Sequence, residues 1–210
     1  MSTLLRVDSS PFPGEASFSR QLTSEFVAQW RESHPDGRVI ERDLAQTALA
    51  PVNAEWVVAA HTPESNQTSE QKAALKTSHE LIAELHTADE YVFGVSMHNF
   101  SIPSSLKLWI DQVARAGKTF SYEGGVPAGL LLGKRATFLV ATGGVYEHGT
   151  PMEALNHIEP YLRSVFAFVG VKDVTFINVG GTARSRFGVD RGTILQPALD
   201  SIRAHFQAAA

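Results

Sequence analysis

Short apolar runs alternate with amphipathic stretches from one end of the chain to the other, and that alternation leaves few folds open. Leu4 to Val7 is an apolar run, closed after Asp8 by SSPFPG (9–14). Residues 17–33 place Leu22, Phe26, Val27 and Trp30 at helical spacing, with Ser17 positioned to cap the first turn. The segment RVIERDL (38–44) alternates as a strand does. A long mixed connection, APVNAEWVVAAHTPESNQTS, carries one short helix around Glu55. Residues 69–87 form a second long helix, with Leu75, Leu81, Ile82 and Leu85 on one side. A strand follows at 90–96, then a helix from Pro103 to about Ala116. Proline suits a first helical turn because the N–H it lacks has no partner there, and Gly117 ends the helix. KTFSYEGGVPAGLL is an irregular excursion. RATFLVATGG, PYLRSVFAFVG, DVTFINVGG and residues 190–207 then supply strand, helix, strand and helix.

Strands alternating with helices predict parallel β-α-β units joined by right-handed crossovers. The near-continuous apolar strands YVFGV and TFLVA fit a sheet covered on both faces. The expectation is one α/β domain over residues 1–210, with a doubly wound parallel sheet of five strands. An order of 2-1-3-4-5 puts ligands beyond the carboxyl ends of the strands, near the point where the winding reverses.

Bulk properties narrow the function. The chain has 210 residues, a formal net charge of -4 and no cysteine. The charge argues against a nucleic-acid partner, which needs a basic face. It also falls short of the acidity of a small electron carrier that docks by charge. Without cysteine there is no disulfide, zinc–thiolate site, iron–sulfur cluster or thiol nucleophile. MSTLLRVDSS holds too short an apolar run for a signal peptide, and no run approaches the roughly 20 residues of a membrane span. A cytoplasmic protein without a membrane partner is expected. No HExxH occurs, and His148 and His157 lie outside i,i+4 spacing, so no metal site is expected.

Three loops fall at the carboxyl rim, after strands one, three and four. The first, SSPFPGEASFS (9–19), offers Ser9, Ser10, Ser17 and Ser19 before a helix, a setting suited to phosphate. It contains neither GxGxxG nor GxxxxGK[ST]. The second, SMHNFSIP, is odd for a turn. Met97 and Phe100 give polarisable apolar surface and Asn99 an amide, which suits a flat heteroaromatic ligand. The third, TGGVYEHG, sets Gly143 and Gly144 where backbone N–H groups can approach a ligand closely. Each loop alone could equally be a capped or sharp turn; their coincidence at one rim favours a site. A serine hydrolase using Ser10 lacks a GxSxG elbow but stays open as an alternative, as does an electron carrier without turnover.

With these residues in view, the chain resembles the FMN-dependent NADH-azoreductases, also called NADH:quinone oxidoreductases, of flavodoxin-like fold. The most specific match is MHNFSIPSSLKLWIDQVARAGKTFSY (97–122). SS at 9–10 with SFS at 17–19, GGVYEHG, and YLRSVFAFVGVKDV add to it. The resemblance implies a flavodoxin-like sheet, non-covalent FMN, NADH as electron donor, and a homodimer with the flavin near its interface. The implied reaction is ping-pong transfer of two electrons to a quinone or azo compound. Carried over, Ser10, Ser17, Phe18 and Ser19 would hold the phosphate and ribityl end. Met97, His98, Asn99 and Phe100 would line the isoalloxazine ring, and Ala141, Thr142, Gly143 and Gly144 its pyrimidine end. This chain has Ala-Thr where the family usually has Ser-Arg before the glycine pair, so a cation is missing there. Phe120 and Tyr122 would wall the substrate slot. No catalytic side chain is implied, because FMN carries the chemistry.

Overall fold

The computed structural model describes residues 2–208. A five-stranded sheet is built from β1 (Thr3–Asp8), β2 (Arg38–Asp43), β3 (Glu90–Ser96), β6 (Arg135–Ala141) and β7 (Asp173–Val179). The order is β2-β1-β3-β6-β7, and every neighbouring pair is parallel. Counting only the strands of this sheet, it is the expected 2-1-3-4-5. The excursion before β6 forms a small antiparallel hairpin, β4 (Phe120–Ser121) with β5 (Ala128–Gly129).

Alternate strand residues divide between two cores, as the two-residue period of a strand requires. Leu5, Val7, Phe93, Val95, Phe138 and Val140 face one side, with α4 (Lys76–Thr87), α5 (Ser104–Val113) and α6 (Ile158–Val169). Rings stack across this face, Phe93 on Phe138 and Phe138 on Phe176, each with centroids 5.0 Å apart. Leu4, Val92, Leu139 and Ile177 face the other side, with α1 (Phe18–Ser33) and α7 (Arg191–Gln207). Both faces are covered, so the central strands β3 and β6 can be apolar almost throughout.

The elements follow local rules where those rules are strong. Ser17 caps α1 by accepting the Arg20 amide at 3.4 Å. Asn53 caps α2 (Ala54–His61) in the same way, accepting the Trp56 amide at 2.8 Å. The helix expected over 69–87 divides into α3 (Ser69–Ala74) and α4, with the wholly buried Leu75 between them. Thr68 and Gln71 make a reciprocal capping box that starts α3. The helix from Pro103 ends at Val113, not Ala116. There the Thr119 hydroxyl donates to the Val113 carbonyl at 2.7 Å and accepts the Arg115 amide at 3.1 Å, which closes a turn.

The hairpin lies away from the carboxyl rim. Its far strand is tied to the end of α6, where the Leu131 amide donates to the Val169 carbonyl at 2.9 Å. Because α6 returns the chain to the start of β7, this end of α6 sits at the amino ends of the strands.

Candidate functional site at the carboxyl rim

The strand register brings the loops together. Asp8 pairs with Gly94, Ser96 with Ala141, and Ala141 with Val179, so β1, β3, β6 and β7 end side by side. The loops that follow are bonded to one another through backbone groups. The Ser9 amide and hydroxyl both donate to the Gly94 carbonyl, at 3.0 and 2.8 Å. The Met97 amide donates to the Ala141 carbonyl at 2.9 Å, and the Ser105 hydroxyl to the Ser9 carbonyl at 3.2 Å.

Between the loops lies a cleft of about 540 Å³, within the roughly 300–1,000 Å³ usual for small-molecule sites. Eight of the residues expected to bind a ligand line it: Ser10, Ser17, Phe18 and Ser19 from the first loop, Met97 and His98 from the second, and Ala141 and Gly143 from the third. Four others, Asn99, Phe100, Thr142 and Gly144, lie in the same turns without lining it. Phe120 and Tyr122 sit on the hairpin. The Phe120 ring packs on Phe168 with centroids 4.6 Å apart, and Tyr122 is 58% exposed.

The turn after β3 explains its composition. His98 and Ser101 exchange both backbone hydrogen bonds, at 2.9 and 3.0 Å, so Asn99 and Phe100 form a two-residue tip. Both have positive φ, +49° and +69°. Asparagine tolerates that region, whereas phenylalanine there is strained, and such strain gathers at functional turns. The tip presents exposed Phe100 next to Tyr146, with ring centroids 6.3 Å apart.

A fourth loop, after β7, completes the cleft, and it is absent from the loops expected at the rim. Thr182, Ala183, Ser185 and Arg186 line it, with Arg191 from the start of α7. The signal is present in GGTARSRFGVDR (180–191), a glycine pair and three arginines directly after a strand. This loop binds the carbonyls of the turn after β6. Gly181 and Ala183 amides donate to Gly144 and Gly143 at 2.8 and 3.2 Å, and the Thr182 amide and hydroxyl both donate to Thr142 at 3.0 Å. With the carbonyls of Thr142, Gly143 and Gly144 occupied, the amides of Gly143 and Gly144 donate to no protein acceptor among the described residues.

Donors are therefore available at two ends. At one, the Phe18 and Ser19 amides open α1 before any intrahelical partner exists. Ser17 and Ser19 hydroxyls lie 3.2 Å apart beside them. At the other is the Gly143 amide, with the Gly144 amide next to it in the same turn. Met97 gives apolar surface between the two. A flat ligand with an anionic tail and a polar edge fits this donor set, and FMN has that form.

Charge beneath the cleft is paired. The Arg20 guanidinium takes both Asp43 oxygens, at 2.9 and 2.6 Å, and donates to the Ser10 carbonyl at 2.8 Å. Asp8 accepts from the Thr23 hydroxyl at 2.8 Å and from Arg6 at 2.8 Å. Burial is the largest influence on Asp8 and holds its carboxyl above the ordinary value, although Arg6, Thr23 and Arg20 pull it down. Ser10, 2% exposed, accepts the Phe12 amide at 3.3 Å. No histidine or carboxylate bonds to its hydroxyl among the described residues, so the nucleophile of a hydrolase is not assembled here. Nor do the described residues hold a cluster of three or more metal-ligating side chains.

A sheet wound 2-1-3-4-5 with a ligand cleft at its carboxyl rim defines a protein of flavodoxin-like fold. The family model of that description matches residues 2–206, and the chain belongs to this family. Within it, an FMN-dependent NADH:quinone oxidoreductase of Acidobacterium capsulatum is 53% identical over 204 residues, 97% of this chain and 98% of that protein. FMN-dependent NADH:quinone oxidoreductase 3 of Burkholderia lata is 43% identical over 98% of this chain and 100% of its own length. Among solved structures, an azoreductase from Bacillus anthracis superposes with a TM-score of 0.87 at 28% identity, covering 98% of this chain and 99% of that one.

Proposed function

We propose that this chain is an FMN-dependent oxidoreductase that passes two electrons from NADH to quinones and azo compounds. The observation that carries the reading is the cleft with unpaired amides at both ends and an apolar floor between. The kinship with FMN-dependent NADH:quinone oxidoreductases supports it. When bound, FMN supplies the redox chemistry, accepting hydride from the nicotinamide and passing both electrons to the acceptor.

The protein holds, orients and polarises. Ser10, Ser17, Phe18 and Ser19 receive the phosphate and ribityl end at the start of α1. Met97, His98, Asn99 and Phe100 bed the ring, with His98 and Met97 on the cleft and the Asn99–Phe100 tip at its edge. The turn 141–144 closes the pyrimidine end. There the Gly143 and Gly144 amides stabilise negative charge as an oxyanion hole does. No carboxylate lines the cleft among the described residues, and delivery of hydride to a quinone needs no side-chain acid, since water can complete the protonation.

Phe120 and Tyr122 lie far from their own chain's cleft, on a hairpin at the opposite rim. As walls of the substrate slot they serve a second copy. The working form would then be a homodimer in which Phe120 and Tyr122 of one copy wall the slot of the other. Tyr122, Val126 and Leu132 expose the apolar surface such an interface would cover. The chain acts as a single domain in the cytoplasm; no helix among the described residues is long and apolar enough to cross a membrane.

Purified protein is expected to be yellow and to oxidise NADH steadily with menadione as acceptor. Protein that stays colourless after FMN is added refutes the cofactor. Protein that binds FMN but turns over no NADH without a separate reductase is an electron carrier instead.

A further inference from the structure

Two arginines line the cleft, and they are held differently. Arg186 lies exposed on the loop after β7. Arg191, the first residue of α7, is half-buried. Its guanidinium carbon lies 3.8 Å from the centre of the Phe18 ring. One of its N–H groups donates to the Glu15 carbonyl at 2.9 Å. A side chain from the far end of the sequence thus sets a cation over the first residue of α1.

That cation has no carboxylate partner among the described residues. Arg6, Arg20 and Arg42, also poorly exposed, each meet one; buried Arg115 meets none, but it lies away from the cleft and donates to the Ser78 hydroxyl. A guanidinium carries five N–H donors, and Glu15 uses one of them. Stacking on Phe18 fixes the plane of the group, so its remaining donors are oriented before any ligand arrives. They lie at the end of the cleft where Ser17, Phe18 and Ser19 open α1. Hydroxyls and amides there can bind a phosphate, but they carry no formal charge. The first turn of α1 contains no acidic residue to oppose an anion. A phosphate monoester brings about −1.5 to −2 charges at neutral pH.

We infer that Arg191 is the cation that holds the cofactor's phosphate and makes the cleft prefer FMN to riboflavin, which lacks it. The inference rests on the FMN reading above. It is tested by titrating apoprotein with FMN and with riboflavin and following the quenching of flavin fluorescence. Arg191→Met keeps an apolar stem against Phe18 and removes the charge. FMN affinity is expected to fall about tenfold or more, the loss of one charge-assisted contact. Riboflavin affinity should change less than about threefold, since the lost contact is to the phosphate. Equal weakening of both flavins assigns Arg191 to bracing the loop, and no change leaves it without a ligand; either overturns the inference.

A second measurement needs no variant. Phenylglyoxal modification of Arg191 in wild-type apoprotein, mapped by mass spectrometry, is expected to be blocked by FMN but not by riboflavin. Equal blocking by both, or by neither, overturns the inference. Wild-type apoprotein that binds neither flavin overturns the FMN reading and this inference with it. Wild-type protein that binds both, with a preference indifferent to Arg191, overturns this inference alone.

Discussion

Gly94→Ala tests how the cleft is supported from below. Gly94 lies on β3 opposite Asp8, and its carbonyl takes both donors of Ser9. A Cβ there would stand 2.7 Å from Asp8 Oδ1, 2.9 Å from Thr23 Cγ2 and 3.3 Å from the Ser19 carbonyl oxygen. Asp8 cannot easily retreat, because Arg6 and Thr23 hold it. Thr23 and Ser19 belong to α1, so relief must come from moving that helix or breaking the Thr23–Asp8 bond. Overpacking of this kind costs about 1–3 kcal/mol. Losing a hydrogen bond to a charged group costs about 1.5–3 kcal/mol. The two routes partly substitute for each other, so a destabilisation of about 2–4 kcal/mol is expected. For a domain of this size, at about 2–4 °C per kcal/mol, Tm falls by roughly 5–15 °C. FMN affinity falls as well, since the first turn of α1 shifts. Urea unfolding and thermal melts measure the first effect, and flavin fluorescence the second. Thr23→Ser removes Cγ2 and keeps the hydroxyl, so the double variant should regain about 1 kcal/mol beyond additivity. A Tm within about 2 °C of wild type, or a cycle with no coupling, refutes this account of Gly94.

Two further outcomes follow from the geometry. The Asp8 carboxyl is raised from its ordinary 3.8 by burial, so the folded state holds this proton more tightly than the unfolded state. Stability from this group is therefore greatest below 3.8 and is lost as pH rises through the folded value. Relative to Asp8→Asn, wild type should lose stability with rising pH across that window, measured by urea unfolding; parallel pH profiles contradict the assignment. At the tip of the turn after β3, Asn99→Val puts a β-branched residue at a φ of +49° and should cost about 1–2 kcal/mol in chemical denaturation. Asn99→Gly should be tolerated far better, and equal losses in the two variants would show that backbone conformation is not what selects asparagine there.

FMN is implied in the sequence by the family resemblance, which is carried by segments that are each short and local. Ser17 caps α1 as its spacing indicates, and MHNFSIP forms a tight turn between β3 and α5. The break at Leu75 and the early end of α5 are hidden in the sequence for a common reason. The helical pattern continues through both positions: the break at Leu75 has no local signal, and α5 stops where the Thr119 hydroxyl beyond the helix takes the Val113 carbonyl. Phe120 and Tyr122 illustrate the same limit at longer range. Their motif is continuous with the flavin-bed sequence, yet the chain crosses from one rim of the sheet to the other between Phe100 and Phe120.

Local patterns in the chain were enough to set the class of fold and to mark three of the four loops at the rim, while the order of the strands came with the family resemblance. Apolar periodicity and turn residues act over a few positions, and right-handed crossovers fix the hand of each β-α-β unit without choosing the order of the strands. Which distant groups touch was left to the assembled sheet. The loop after β7 takes the carbonyls of the turn after β6, leaving the Gly143 and Gly144 amides without protein acceptors among the described residues. Arg191 reaches Phe18 and Glu15, and Gly94 admits Asp8, Thr23 and Ser19 against the strand. These contacts depend on how closely β1, β3, β6 and β7 end beside one another, and no window of neighbouring residues encodes that distance.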